Sequence, residues 1–478
     1  MGDSEQEARP CLSACKKSSA KETSDGYHGL TPLQSTRMVK RSEKYVWVPG
    51  LPPPPLDPHS VVKHDIVREY LSRYVHVLMS NYLMDKLVLS IVDGFAGGGE
   101  YVGSSGEFVH GSPQIVIDAL AEQEVLLNVG REKPRKLDVR YYFVEKMASS
   151  LQYLNALLTS RYGSNRIGQD IVTLQGTFQK NFDAIRADIK KRGRGDRAIF
   201  LLDQYAWDQV PGALLKEIFD TVRGAEVILT FGVDSLISFL SDNEQSRRKM
   251  EGMGFADHID WKSLEELRGA PGSAWRAAIQ RNLADALIRA SGAQHSTIFY
   301  ITPQGDTPWT YWLVHLSNNY KARDVMMNIH WGKSNQFSHY LDPDIFTLGY
   351  SAQKDEEVTG QNSLSFGEEF HFDKLAAEKC MAGLTRKLVP WLFDRGDKAV
   401  QFKELSHGIG SRTPGTEKML KESLDEAIRC GDLVAFTKDG GRRTKGSSLQ
   451  ADDVLQAGDQ RSLIHLGQTS LSSLDGAR

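Results

Sequence analysis

At 478 residues, 40% of them hydrophobic and 25% charged, with a formal net charge of −3, the chain has ordinary globular composition and two or three domains are expected. The near-neutral balance carries no global sign of a nucleic-acid partner but leaves room for a local basic surface. Cys11, Cys15, Cys380 and Cys430 form no C-x-x-C pair or Cys/His cluster, no apolar run is long enough to span a bilayer and MGDSEQEARP lacks a signal core, so no metal site, disulfide framework or membrane anchor is expected and a cytoplasmic setting is.

Residues 1–44 are Ser-, Lys- and Glu-rich and are expected to form a disordered tail. An ordered arm begins at Tyr45-Val46-Trp47-Val48, and Pro52 to Pro55 make a stiff spacer. Apolar spacing predicts an amphipathic helix from His59 to about Asp85, with Lys63 and His64 read as solvated polar residues. The strand-like run Leu87–Val92 then ends in Asp93 and passes into a glycine-rich turn, Gly94 to Gly99. That order suits either a loop holding a nucleotide-like ligand or a plain tight turn.

Tyr101–His110 reads as a flexible loop, and Ser112-Pro113 as the N-cap and first residue of a helix to about Glu124. Further strands are predicted over Asp138–Val144, Asp170–Leu174, Ala198–Leu202 and Glu226–Phe231, alternating with helices. A basic loop, Lys190 to Arg194, precedes the fourth strand. Nearly continuous apolar strands in this alternation predict an α/β fold, a Rossmann-like parallel sheet covered on both faces. A helical insertion (235–290), a hairpin finishing the sheet (Thr297–Ile301 and Thr310–Leu316) and a helix over Lys321–His330 complete a domain spanning 45–331. A linker (332–366) leads to a domain over 367–478, with helices at Leu384–Leu392, Phe402–His407 and Thr416–Arg429. Strands follow at Leu433–Thr437 and Arg461–Leu466, on either side of a glycine turn and Arg442, Arg443 and Lys445. Three helices and a basic hairpin describe a winged helix, which grips nucleic-acid phosphates or serves protein contacts.

Asp93, Glu145, Gln175, Thr177 and Asp203 all follow strand ends, and in an open α/β sheet that edge binds ligands. Glu145 suits a pair of ribose hydroxyls, or the N-terminal dipole of the next helix. Asp93 and Glu145 lie 52 positions apart, whereas dinucleotide folds place the acid about 20 on, which disfavours a nicotinamide enzyme. Asp203-Gln204-Tyr205-Ala206-Trp207 offers a carboxylate and two aromatics, fit for an amino group on a planar base or for loop packing.

Lys63-His64 on the leading helix, the D-G-F-A-G-G-G-E-Y turn and the following G-S-P resemble the bacterial three-Cys-motif partner proteins. The turn and G-S-P are also similar to those of ribosomal RNA adenine-N6 methyltransferases. The resemblance spans roughly 59–331 and implies a class I methyltransferase-like fold with S-adenosylmethionine as cofactor. It implies that Asp93, Phe95, Ala96, Gly97 and Gly99 form the methionine-side loop, that Glu145 takes the ribose and that Gln175 and Thr177 lie near the adenine. Asp203 and Tyr205 fall at the D-P-P-Y-type catalytic position, although D-Q-Y-A lacks both prolines. A methyltransferase acting on DNA or RNA is thus expected. The alternative is a non-catalytic scaffold that binds nucleic acid or a three-Cys-motif partner protein.

Overall fold

Helix α1 (Pro58–Leu78) leads into β1 (Lys86–Asp93), which the glycine turn joins to a short hairpin, β2 (Glu100–Val102) and β3 (Phe108–His110). There follow α2 (Ser112–Asn128), β4 (Lys136–Glu145), α3 (Ala148–Tyr162), β5 (Ile171–Gln175), α4 (Phe178–Lys191), β6 (Arg197–Asp203), α5 (Gly212–Thr221) and β7 (Gly224–Phe231). Among the described residues, helices α6 (Val233–Phe239), α7 (Glu244–Met253) and α8 (Ala274–Ser291) precede the hairpin β8 (His295–Ile301) and β9 (Tyr311–Ser317), and α9 (Tyr320–Gly332) closes the series. This computed structural model describes residues 45–193, 196–204, 206–241, 243–262, 274–301, 311–333, 373–395 and 398–458. The expected tail, nearly all of the expected linker, the expected last strand Arg461–Leu466, Arg194 and Tyr205 lie outside the described residues.

The seven strands β5-β4-β1-β6-β7-β9-β8 form one sheet, parallel except that β9 runs antiparallel to β7 and β8. Counted along this sheet alone the order is 3-2-1-4-5-7-6. This mostly parallel mixed α/β architecture is consistent with a Rossmann-like methyltransferase fold. From β1 the chain steps outward to β4 and β5, then returns to β6 on the other side of β1. With right-handed crossovers, that reversal sends the helices of the two halves to opposite faces and opens a crevice at the carboxyl ends of β1 and β6. Strands covered on both faces need apolar residues at every position, which is why β1, β6 and β7 are buried over nearly their whole length.

Three local expectations are corrected. Helix α1 ends at Leu78, not near Asp85, and Arg135 holds the turn that follows: its guanidinium donates to Met79 O (2.7 Å), Met84 O (2.8 Å) and Asn81 O. Tyr101–His110 is no loop but the β2–β3 hairpin, with Val102 further paired to the proline spacer through Leu56 N to Val102 O (2.9 Å) and Val102 N to Pro54 O (3.0 Å). Helix α2 has Gly111 as N-cap. Ser112 is already inside the helix, and its hydroxyl turns to Asp93.

The C-terminal region has its own hydrophobic core and comprises α10 (Lys374–Asp394), β10 (Val400–Gln401), α11 (Phe402–Gly410), α12 (Glu417–Ser423), α13 (Asp425–Cys430), β11 (Leu433–Phe436), β12 (Arg442–Arg443) and β13 (Val454–Ala457). Its strands form an antiparallel sheet in the order β10-β13-β11-β12. Helix α9 holds this region. Arg323, fully buried, donates to the carbonyls of Gly415 (2.7 Å) and Thr413, and Trp331 Nε1 donates to Pro414 O (2.8 Å). Asp324 receives Glu417 N at 2.8 Å.

Candidate functional site

Asp93 and Asp203 end the two strands that flank the crevice, while Glu145 and Gln175 end β4 and β5 in mutual register. Four of the strand-end residues named from the sequence therefore share one edge of four adjacent strands. Beyond β1 the turn continues between its neighbours: Gly94 N donates to Leu201 O (2.9 Å) and Ala96 N to Val144 O (3.0 Å). Phe95 N donates to Asp93 Oδ1 (3.0 Å), and Gly97, at φ +58°, directs its N–H to Glu145 Oε2 (3.0 Å). Glu145 Oε1 receives Met147 N (2.7 Å), so the carboxylate both braces the turn and opens the next helix.

The glycines of the turn are close-contact positions, but their neighbours are protein side chains. A Cβ at Gly98 would come 2.1 Å from Trp47 Cγ, one at Gly99 2.7 Å from Leu154, and one at Gly94 2.8 Å from Leu202. Trp47 is buried, and its indole N–H donates to Glu100 O at 2.7 Å. Tyr45 and Tyr101 complete an aromatic group around it, with ring centroids 6.2 and 5.3 Å from the indole. The sequence placed an ordered arm at Tyr45–Val48. That this arm covers the glycine turn depends on contacts with residues some 50 positions downstream, and no local pattern announces it.

Lys63 departs most from its sequence reading. It is buried, and its Nζ donates to both carboxylate oxygens of Asp203, at 2.7 and 2.6 Å. The signal was available in the spacing: Lys63, Ile66, Tyr70 and Tyr74 recur at three- and four-residue intervals and so share the helix face turned to the sheet. The Tyr70 hydroxyl anchors that face by donating to the buried Glu226 of β7, which His315 of β9 also approaches at 3.4 Å. Asp203 itself remains 46% exposed. Surrounding protein pushes its carboxyl upward, but the Lys63 ammonium and hydrogen bonds from Lys63 and Thr230 more than offset this, holding it below the usual carboxylate range.

Burial and the neighbouring Lys63 push His64 down to about 4 against the opposing pull of Asp203, so the imidazole is neutral at pH 7. Asp93 is raised to about 7 by burial, and Asp203 and Glu145 add to the rise; the Ser112 hydroxyl (2.6 Å) and Phe95 N–H oppose it. Burial also raises Glu145 against its backbone hydrogen bonds. Three carboxyl groups thus crowd one sheet edge, Asp93 and Glu145 shifted up and Asp203 shifted down. Thr177 caps α4, accepting Lys180 N at 3.4 Å, and Gly176 reaches φ +121° to make that turn. Gln175 is exposed beside it. Trp207, by contrast, is buried against Phe239 and belongs to the core rather than to a stacking surface.

The donor set fits a polar nucleoside-type ligand. Among the described residues, two buried side-chain amide atoms have no protein partner: Gln204 Nε2, in the residue after Asp203, and Gln114 Oε1, whose amide nitrogen donates to Gly99 O (2.9 Å). Gln204 Oε1 is taken by the N–H groups of Gln209 and Val210, so its orphan is a donor. Glu145 accepts the backbone N–H groups of Gly97 and Met147, one on each oxygen, and a carboxylate has about four acceptor positions. No cluster of three or more His, Cys, Asp or Glu residues able to hold a metal exists among the described residues, and no described helix is long and apolar enough to cross a membrane.

Among solved structures, the chain is similar to precorrin-6y C5,15-methyltransferase from Geobacter metallireducens GS-15, at 10% identity over 58% of this chain and 96% of that one, with a TM-score of 0.23. It is similar also to the methyltransferase domain of bacterial CtHen1-C, at 12% identity over 53% of this chain and 100% of that one, with a TM-score of 0.24. No protein-family model and no curated protein matches the chain. Likeness this weak bears on neither activity nor substrate, and the fold assignment rests on strand order and register.

At the C-terminal basic hairpin, Arg442 and Lys445 are exposed, but Arg443 is committed inward, donating to the buried Asp453 at 2.7 Å. The sequence grouped the three; the fold separates them.

Proposed function

We propose that this chain is an S-adenosylmethionine-dependent methyltransferase acting on nucleic acid. The observation that carries the reading is the gathering of the glycine turn, Asp93, Glu145, Gln175 and Asp203 on the carboxyl edge of a sheet ordered 3-2-1-4-5-7-6. Glu145 would take the ribose hydroxyls and the segment Gln175–Thr177 would lie beside the base. The turn backbone and Asp93 would hold the methionine end. When bound, S-adenosylmethionine supplies an activated methyl group on a sulfonium. Asp203, with Lys63, would orient the acceptor against it. The C-terminal region would act as a winged helix, with Arg442 and Lys445 on phosphates.

Isothermal titration of the full chain tests the reading, with S-adenosylmethionine binding expected at micromolar concentration. Absence of any heat of binding, together with no methyl transfer to DNA or RNA, would sink it. A scaffold that binds nucleic acid or a partner protein without catalysis is the second reading, and the packing of Trp47 into the glycine turn favours it. It predicts nucleic-acid binding that is lost on Arg442→Ala/Lys445→Ala and is indifferent to the cofactor.

A further inference from the structure

We propose that the methyl acceptor is a hydroxyl oxygen, the ribose 2′-hydroxyl of RNA, and that Lys63 is a catalytic residue for it. This rests on the methyltransferase reading above and names the atom that reading leaves open.

The electrostatic sign at the crevice decides between acceptors. Methylation of a neutral amino group places positive charge on the acceptor nitrogen, and a bare carboxylate at the strand end would favour that charge. Here Asp203 is not bare: Lys63 donates to both of its oxygens. Of about four acceptor positions on a carboxylate, roughly two remain. The ammonium next to it opposes a full positive charge on the acceptor and favours one that sheds a proton as the bond forms. Lys63 has three donors and uses two on Asp203, leaving one. A free donor on Lys63 beside an exposed carboxylate suits an oxygen that must be both polarised and deprotonated. The loop also lacks the prolines that would stiffen its carbonyls toward an amino group.

In the step, the hydroxyl oxygen forms a bond to the methyl carbon as the C–S bond breaks, its electron pair passing to sulfur to leave a neutral thioether. The O–H proton goes to Asp203, whose exposure lets it pass to water. The remaining Lys63 N–H holds the hydroxyl oxygen in line with the methyl group while this happens. Asp203 can take the proton despite its depressed basicity because the hydroxyl becomes strongly acidic as the new bond forms. Along a nucleic-acid chain the hydroxyl available for this is the ribose 2′-OH, which DNA lacks.

The test incubates the full chain with methyl-labelled S-adenosylmethionine and, separately, total RNA and total DNA. The products are digested to nucleosides and the label is located, with calorimetry of donor and RNA binding alongside. Label on ribose, from RNA alone, is the expected result. Lys63→Met should then lower transfer by about 100-fold while donor affinity stays within about threefold. Should Lys63→Met fail to fold by circular dichroism, Lys63→Arg, which keeps the ion pair but changes the donor geometry, should still lose at least about tenfold. Label on a base overturns the inference but leaves the methyltransferase reading standing, and so does absence of label from RNA when donor and RNA both bind. Failure to bind the donor overturns both.

Discussion

The indole of Trp47 occupies the space into which a side chain at Gly98 would project, with 2.1 Å between the Trp47 Cγ and a Cβ built on that glycine. A turn whose glycines suggest ligand contact is thus shaped in part to admit the chain's own arm. Gly98→Ala should displace the indole and cost about 1–3 kcal/mol by overpacking. Trp47→Ala should cost about 3–5 kcal/mol through the cavity it leaves. In the double variant the alanine at 98 meets no ring, so its cost should largely vanish. Denaturant melts of the four proteins measure this coupling, and strictly additive losses would refute the contact.

Asp93 provides a pH signature. Its folded-state pKa is about 7, above the ordinary 3.8, so the folded chain binds this proton more tightly than the unfolded one. The contribution to stability is full below the unfolded value and is lost as pH rises through about 7. Asp93→Asn cannot titrate. Its melting temperature relative to wild type should therefore improve from about pH 4 to about pH 8 and then level off. A difference that does not change with pH would mean that Asp93 is ionised throughout.

Glu145 accepts Gly97 N and Met147 N, and on the proposed reading it also takes two ribose hydroxyls. Glu145→Gln keeps one oxygen but turns the other acceptor into a donor. A loss of about tenfold in S-adenosylmethionine affinity is expected by calorimetry. Unchanged affinity would assign Glu145 to bracing the turn alone.

The two arginines of β12 should behave differently. Arg443→Ala strands the buried Asp453 and should cost about 2–3 kcal/mol in a denaturant melt. Arg442 is exposed, so Arg442→Ala should leave stability within about 0.5 kcal/mol. If Arg442 meets a phosphate, its loss should lower the salt slope of nucleic-acid binding by about one. Equal stability losses at the two positions would contradict the fold of this hairpin.

By itself, the sequence determined the alternation of buried strands and helices, the glycine turn after β1 and the polar residues that end successive strands. Strand character and turn chemistry are local properties, written in runs of apolar residues and in glycine. Only the tertiary structure decided what those residues touch. Lys63 reads as a solvated lysine until α1 is laid on the sheet, where Tyr70 and Glu226 anchor the face that carries Nζ to Asp203, 140 positions away. Trp47 reads as part of an arm until the hairpin after the turn receives it. Arg442 and Arg443 are neighbours in the chain, yet strand alternation sends one to solvent and the other to Asp453. In each case a contact with another segment sets the burial of the group, and although spacing can mark which face is buried, local sequence does not name the partner.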